Sequence, residues 1–313
     1  MSMERVYILG GGAVGAPLAA FLTMSGREVV LVRMRSGVAD SSQSTWVEVT
    51  MGDESIRAKV PTVAFEDLRG VNGVIVVTCK TYANERVAEG LRRVYRAGPI
   101  VLAQNGLNVE RAFQDQGFPN LGRAVLYLTS QSSEDRAGLS YQFRSIADSL
   151  VGTLCGDARE IREAVKTLQT DRFPFSYCDA LEGPVFKKAI VNVIFNSICP
   201  LLDVDNGIFA RGRSLLPLVR SLIRECLQLV GAKGLELSEE EILESVERIS
   251  QNSPQLISTL QDLRAGRQTE IDSLNFAFVE MAEGIDPEMR LPLVHALGDL
   301  IRAKSELSGS SRI

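Results

Sequence analysis

Apolar and polar residues alternate along the first part of the chain in blocks that have the lengths of strands and helices. Mostly apolar, β-branched runs occur at residues 6–9, 28–32, 73–78 and 99–103. Such runs are typical of strands buried on both faces of a parallel sheet, with crossover helices between them. Three later runs, at residues 124–129, 140–143 and 151–154, have no helical stretch between them. We expect these later runs to add an antiparallel edge to the sheet.

The pattern changes near residue 181, where long segments with helical periodicity begin. These segments cover residues 185–201, 214–230, 238–249 and 269–282. A chain of 313 residues is also long for a single core. The sequence therefore predicts an α/β fold with two domains: a Rossmann-type, doubly wound sheet over residues 1–179 and an all-helical domain over residues 180–313.

Composition and charge narrow the classes of function. A net charge of −5 provides no broad basic surface for nucleic acid, so a small-molecule partner fits better. The five cysteines are scattered, with no CxxC pair and no metal-like Cys/His cluster, which favours reduced thiols in a cytoplasmic protein without a metal site. The start of the chain lacks the features of a signal peptide, and no apolar run is long enough to span a bilayer.

A glycine-rich loop carries the first functional signal. Residues 10–15, Gly-Gly-Gly-Ala-Val-Gly, directly follow the first predicted strand and precede an Ala- and Leu-rich helix. In this context G-x-G-x-x-G is the dinucleotide-binding fingerprint. Gly10 permits the tight turn, Gly12 lets the backbone approach a pyrophosphate, and Gly15 allows close packing of helix and sheet. The residues predicted to line the cofactor are Gly10, Gly11, Gly12, Ala13, Val14 and Gly15.

The end of the second predicted strand indicates which dinucleotide binds. An NAD-selective site usually carries an acidic residue at this place, to hold the ribose hydroxyls. The strand instead ends in Arg33-Met34-Arg35. Guanidinium groups suit a 2′-phosphate because they offer forked donors with a permanent charge. We therefore expect NADP, with Arg33 and Arg35 as cofactor-binding residues; the alternative is that one or both arginines are simply solvated.

A hydride donor needs a proton donor or a cation beside the oxygen of the ketone that it reduces. The single histidine, His295, lies near the C-terminus, where an ordinary helical position is expected. The apolar helix at residues 185–201 offers another group. Lys188, Asn192 and Asn196 recur every four residues and form one polar stripe, whereas Lys187 lies about 100° away around the helix.

Two interpretations of this stripe remain open. Amides and an ammonium group are costly to bury without partners, so the stripe could line a wet cleft and bind a polar ligand. It could equally be a solvated helix face or a ladder of hydrogen bonds between domains. The pattern alone does not choose between them.

Several separated motifs resemble the ketopantoate reductase (2-dehydropantoate 2-reductase) family, in the same order, over about residues 6–300. Besides the glycine loop, they are the strand-end lysine motif at 77–80, the asparagine-glycine motif at 103–106, the lysine-bearing helix from 186 to 196, and the C-terminal segments at 258–263 and 267–272. The resemblance implies NADPH-dependent reduction of 2-dehydropantoate to pantoate, a step in pantothenate and coenzyme A synthesis.

The resemblance also implies roles for individual residues. Lys188 would donate a proton to the developing alkoxide, and Glu270 would support this lysine and the substrate. Asn192, Asn196 and Ser258 would hold the substrate's carboxylate and hydroxyl groups. Asn105 would lie near the reacting centre, touching both substrate and cofactor, and Lys80 would lie near the cofactor.

Three departures from the family pattern leave the substrate open. Gln255 stands where the family commonly has an asparagine, Phe276 replaces a glycine, and Met34 takes the place of the cofactor arginine. One alternative is therefore an NADP-dependent reductase of another branched 2-oxo acid, with a pocket reshaped by Gln255 and Phe276. Another is a non-catalytic NADP-binding sensor. The sequence also allows a homodimer.

Overall fold

The structure, a computed structural model, describes residues 5–34, 44–132, 139–252 and 255–310. Its residues group into two units, each with its own core. The first unit takes the described residues of Met1–Gln104 and Val109–Leu181, and the second takes Asn105–Asn108 and the described residues of Glu182–Ile313. The short segment Asn105–Asn108 is thus grouped with a part of the chain that lies far from it in sequence.

The first unit is built on one sheet. The strands of this sheet are β1 (Arg5–Leu9), β2 (Glu28–Arg33), β3 (Ser44–Met51), β4 (Glu54–Ala64), β6 (Val74–Val77), β8 (Ile100–Leu102), β9 (Leu121–Val125), β10 (Leu128–Ser132), β11 (Leu139–Ser145), β12 (Ser149–Cys155) and β13 (Phe175–Tyr177). Two further strands, β5 (Val71–Asn72) and β7 (Tyr95–Ala97), form a separate short pair. Within the described ranges the order across the sheet is β10-β11-β3-β4-β2-β1-β6-β8-β9-β12-β13. The central strands β4, β2, β1, β6, β8 and β9 are parallel to one another.

Helices cover both faces of this sheet. They are α1 (Gly15–Met24), α2 (Asn84–Val94), α3 (Arg111–Asp115) and α4 (Ala158–Leu168). Successive residues of β1 point to opposite faces: Val6 and Ile8 join the apolar cluster that contains α1, and Tyr7 and Leu9 join the cluster that contains residues of α2. A central strand buried on both faces is what a doubly wound sheet requires, and this part of the sequence prediction is confirmed.

The edges of the sheet differ from the prediction. The antiparallel hairpin of β3 and β4 was not predicted, and the later strands do not form a single edge. The predicted strand at 124–129 divides into β9, beside β8, and β10, which pairs with β11 at the opposite edge of the sheet. β12 is antiparallel to β9, as expected of an added edge. Strand β4 escaped notice because its apolar residues alternate with charged ones and form no continuous run.

The second unit is helical, as predicted. Its helices are α5 (Glu182–Leu202), α6 (Ile208–Arg211), α7 (Leu216–Ala232), α8 (Glu239–Asn252), α9 (Ser258–Arg264), α10 (Ala277–Ile285) and α11 (Pro292–Ser310). The predicted helix at 269–282 begins later, with a single π-helical turn at Asp272–Phe276 before α10. Helix α5 supplies much of the core, including the fully buried Ile190, Val193 and Ile194.

Helix α5 is also the one described helix that is long and apolar enough to cross a membrane. However, 67% of its apolar window is buried inside the protein. A core helix of a globular unit has the same length and composition, so this helix is weak evidence for a membrane span.

Candidate functional site

The glycine loop is packed tightly against the end of β6. Gly10 has a φ of +122°, and a Cβ there would lie 2.6 Å from the Cys79 nitrogen. A Cβ at Gly15 would overlap the Gly10 carbonyl oxygen and Thr78 Oγ1. Thr78 Oγ1 also donates to the carbonyl oxygen of Gly10 at 2.8 Å. Only glycine fits at these two positions, as the dinucleotide fingerprint requires.

The middle of the same loop is open. A Cβ at Gly12 would have no heavy atom within 4 Å, and this residue is exposed. Ala13 and Val14 are half-buried, and α1 begins directly after them with no side-chain cap and no acidic residue in its first turn. The N-terminus of a helix attracts anions through its N–H groups and its dipole. The loop therefore fits the pyrophosphate of a dinucleotide.

A tyrosine that sequence reasoning missed holds this loop from the edge of the sheet. Tyr141, on β11, donates from its hydroxyl to the carbonyl oxygen of Gly11 at 2.8 Å. Its side chain is buried, and burial raises the pKa of Tyr141 to about 12, so that the hydroxyl stays protonated and remains a donor. The two residues are 130 positions apart, and no local pattern signals the contact.

Two of the predicted cofactor cations lie at or shortly after the ends of strands. Arg33 is the last residue of β2 and is half-buried, and Lys80 is half-buried directly before the short 3-10 helix Thr81–Ala83 that follows β6. Arg35 lies outside the described residues. The side chain of Met34 packs against the apolar cluster of this face of the sheet. It is therefore turned towards apolar residues, unlike an arginine that binds a phosphate.

The polar stripe of α5 is only partly accessible. Lys188 and Asn192 are half-buried, and Asn196 is 2% exposed. Lys187 lies off the stripe, as its position around the helix predicts, and forms an ion pair with Glu241 of α8 at 3.2 Å. The two neighbouring lysines thus lie in different surroundings.

Asn196 joins α5 to the start of α9. Its Oδ1 accepts hydrogen bonds from Ser258 Oγ at 3.3 Å, from Thr259 Oγ1 at 2.7 Å and from the Thr259 nitrogen at 3.3 Å. Its Nδ2 donates to the carbonyl oxygen of Asn192 at 2.9 Å. The structure thus joins Asn196 to Ser258 and adds the buried Thr259, which was not predicted, while the bond to Asn192 reaches only its backbone within the same helix. The Asn196 amide is used within the protein, an arrangement suited to positioning Ser258.

The segment that carries Glu270 is fixed by a loop from far away in the sequence. Glu270 is half-buried, and its carbonyl oxygen accepts from the Ser273 nitrogen and Ser273 Oγ, both at 3.1 Å. The carbonyl oxygen of Ser273 in turn accepts from the Leu107 nitrogen at 2.7 Å. A Cβ at Gly106, whose φ is +96°, would overlap that oxygen. This close approach brings the loop of the exposed Asn105 onto the π-helical turn next to Glu270.

Phe276, which departs from the family's glycine, packs against α11. It is 7% exposed, Arg302 Cζ lies 3.6 Å from the centre of its ring, and His295 meets the ring edge-on at 5.8 Å. A Cβ at Gly298 would lie 3.1 Å from the ring. The phenylalanine is therefore accommodated by α11. His295 is an exposed helical residue beside Asp299, as expected.

A second polar group near α9 was also missed. Asn206 is 7% exposed, and its Oδ1 is a buried acceptor without a hydrogen-bond partner in the part of the chain that the structure describes. Its backbone nitrogen donates to the carbonyl oxygen of the half-buried Gln255 at 3.0 Å. The backbone contact joins the loop before α6 to the segment that precedes α9.

Comparisons with known proteins cover nearly the whole chain. The family model described as "Ketopantoate reductase PanE/ApbA" matches residues 6–145, and its C-terminal counterpart matches residues 181–305. The 2-dehydropantoate 2-reductase of Pyrococcus horikoshii is 26% identical over 98% of this chain and 100% of its own length.

Two solved structures have the same fold. The ternary structure of D-mandelate dehydrogenase with NADH and anilino(oxo)acetate has a TM-score of 0.88 at 19% identity, covering 97% of this chain and 99% of that one. A dimeric ketopantoate reductase from Staphylococcus aureus has a TM-score of 0.80 at 20% identity, covering 97% and 100%. At such low identities these likenesses concern the fold alone.

Proposed function

From the premise that the chain belongs to the ketopantoate reductase family, we propose that it reduces 2-dehydropantoate to pantoate with NADPH, in pantothenate and coenzyme A synthesis. The observation that carries the proposal is the meeting of Asn196 with Ser258 and Thr259. This contact connects α5, which carries Lys188, to α9, which carries Ser258. It therefore supports the proposal that the two side chains act on one substrate.

The reaction needs a proton at the substrate oxygen. A bound nicotinamide cofactor supplies the hydride. Lys188 donates a proton from Nζ to the carbonyl oxygen as negative charge develops there, so this oxygen becomes the neutral hydroxyl group of the product. Glu270 supports the lysine and the substrate, and Ser258 and Asn192 hold the polar groups of the substrate. Asn196 acts through Ser258, and Asn105 borders the reacting centre.

A panel of 2-oxo acids assayed with NADPH tests the proposed activity. We expect 2-dehydropantoate to have the highest kcat/KM. A higher value for another branched 2-oxo acid would favour the alternative substrate that Gln255 suggests. Binding of NADPH without its oxidation by any member of the panel would contradict catalysis and favour the sensor.

The preference for NADPH is proposed to rest on Arg33 and Lys80, together with Arg35. Replacing Arg33 with alanine is expected to weaken NADPH binding by about 10-fold or more, because a hydrogen bond to a charged group contributes about 1.5–3 kcal/mol. NADH binding should change little. Titration followed by cofactor fluorescence measures both affinities.

Arg27→Ala is the matched control, since this exposed arginine lies just before the opposite end of the same strand. It should change neither affinity. Equal loss of NADH and NADPH binding in Arg33→Ala would exclude a contact with the 2′-phosphate. NADH remains the alternative cofactor, as it is the one bound to D-mandelate dehydrogenase.

The proposal also covers the compartment, the substrate class and the assembly of the protein. All five cysteines are free thiols, which suits a reducing cytoplasm. The partner required by the reaction is a small 2-oxo acid. We propose a homodimer as the assembly, by analogy with the dimeric enzyme of Staphylococcus aureus.

A further inference from the structure

An arginine outside the predicted set reaches the end of β2. Arg86 is the third residue of α2, and its Nη2 donates to the carbonyl oxygen of Met34 at 2.8 Å. The two residues are 52 positions apart, so the contact is tertiary. The hydrogen bond holds the exposed guanidinium group of Arg86 beside Met34, the residue that follows β2.

The position of this guanidinium follows from the topology of the sheet. Strands β2 and β6 both pair with β1 in parallel, so their carboxyl ends lie at the same edge of the sheet. Helix α2 begins shortly after β6, at that edge. In Rossmann-type sheets the dinucleotide binds at the carboxyl ends of the strands, with the adenosine ribose at the end of the second strand. Arg86 thus lies at the strand end where the adenosine ribose of a dinucleotide is expected.

The charges around this strand end favour an additional anion. Arg33 ends β2, Lys80 follows β6, and no acidic residue stands at the end of β2 where an NAD-selective site would have one. A guanidinium has further N–H donors beyond the one that Met34 engages, and its planar fork matches the oxygens of a phosphate. A doubly charged phosphate is bound best by several cations together.

We propose that Arg86 binds the 2′-phosphate of NADPH and, with Arg33 and Lys80, determines the preference for a phosphorylated dinucleotide. This inference rests on the proposed NADPH-dependent function. The bond to Met34 orients the guanidinium before the cofactor arrives, which lowers the entropy lost on binding. The side chain of Met34 is turned towards apolar residues. Its backbone carbonyl oxygen instead positions the guanidinium group of Arg86, which takes the place of the side chain that an arginine at position 34 would offer to the phosphate.

The proposal differs from two simpler roles for the same side chain. A guanidinium stacked on the adenine ring would strengthen the binding of any adenine nucleotide, with or without the 2′-phosphate. A guanidinium that only braces the backbone at Met34 would change the thermal stability of the protein and leave nucleotide preference unaffected. Nucleotide fragments separate these roles without any need for turnover.

The test measures binding of adenosine 2′,5′-bisphosphate and of 5′-AMP by calorimetry, with the full-length chain. The Arg86→Ala variant should bind the bisphosphate about 10-fold more weakly, with 5′-AMP binding and the melting temperature nearly unchanged. Arg86→Lys should recover part of the loss, since it keeps the charge without the fork. Added salt should reduce the difference between wild type and Arg86→Ala, because the contact is exposed.

Arg93→Ala is the matched control, because it removes the same charge from the same face of α2, two turns further along the helix. It should bind both nucleotides as the wild type does. Equal losses for bisphosphate and 5′-AMP in Arg86→Ala, or no loss, would overturn the role of Arg86 while leaving the NADPH assignment intact. A wild-type protein that binds both fragments equally would overturn the NADPH assignment and this inference together.

Discussion

Replacing Lys188 with alanine is expected to lower kcat by at least about 100-fold while NADPH binds almost as before. General acid catalysis typically contributes 10²- to 10⁴-fold, and alanine removes both the proton and the charge that stabilises the alkoxide. The helix should persist, because alanine is a good helix former. NADPH affinity should survive because the glycine loop and Arg33 belong to the first unit and Lys188 to the second. Steady-state kinetics and cofactor titration measure the two effects.

Lys187→Ala is the control for this experiment. The change removes the same charge from the next position, where the ammonium is paired with Glu241 at the surface. An exposed ion pair contributes at most about 1 kcal/mol to stability, so the variant should fold and retain most of its activity. If Lys187→Ala is the inactive variant and Lys188→Ala the active one, the register of the stripe is wrong, and the roles of Asn192 and Asn196 fail with it.

Replacing Asn196 with alanine is expected to lower kcat/KM by about 100-fold, mainly through a higher KM. The change deprives Ser258 and Thr259 of their common acceptor in a buried place, and each lost hydrogen bond costs about 1 kcal/mol or more. The free energy of unfolding should fall by roughly 2–3 kcal/mol for the same reason. Denaturant unfolding and substrate-saturation kinetics provide the two measurements.

A double-mutant cycle with Ser258→Ala separates a positioning role from a merely structural one. If Asn196 acts on the substrate through Ser258, the effects of the two substitutions on KM should not add, and the double variant should resemble the worse single variant. Asn196→Ala should still lower the free energy of unfolding when Ser258 is already alanine, because Asn196 also accepts from Thr259. Additive effects on KM would mean that Asn196 does not act through Ser258.

The sequence predicted the parts of the fold whose signals are local. The parallel strands are continuous apolar runs. Gly10 and Gly15 are required because each lies against the backbone or side chains at the end of the neighbouring strand β6, and Gly15 also lies against Gly10. The hairpin of β3 and β4 was missed because its inward residues, such as Ile56, Ala58 and Val60, are separated by outward polar or charged ones. Period-2 alternation of this kind is a valid strand signal that a search for continuous runs overlooks.

The sequence predicted candidate site residues, whereas the contacts between them had to come from the structure. Spacing along one helix placed Lys188, Asn192 and Asn196 on a common face, but only the fold reveals that the Asn196 amide is engaged by α9. The contacts of Tyr141 with Gly11 and of Arg86 with Met34 join residues far apart in sequence. Such pairs leave no trace in composition or periodicity. The catalytic, substrate-binding and cofactor-binding roles of the predicted site residues all stay predictions.

The docking of Gly106 and Leu107 onto Ser273 means that the helical unit is not encoded by one continuous stretch of sequence. Its residues come from the C-terminal part of the chain and from a four-residue insert between β8 and α3, Asn105–Asn108. A recombinant exchange that begins at residue 182 would carry the helices without this insert, leaving the Ser273 carbonyl oxygen to meet a foreign loop. An exchange of the helical unit between relatives therefore has to transfer both pieces, although more than seventy positions separate them in the sequence.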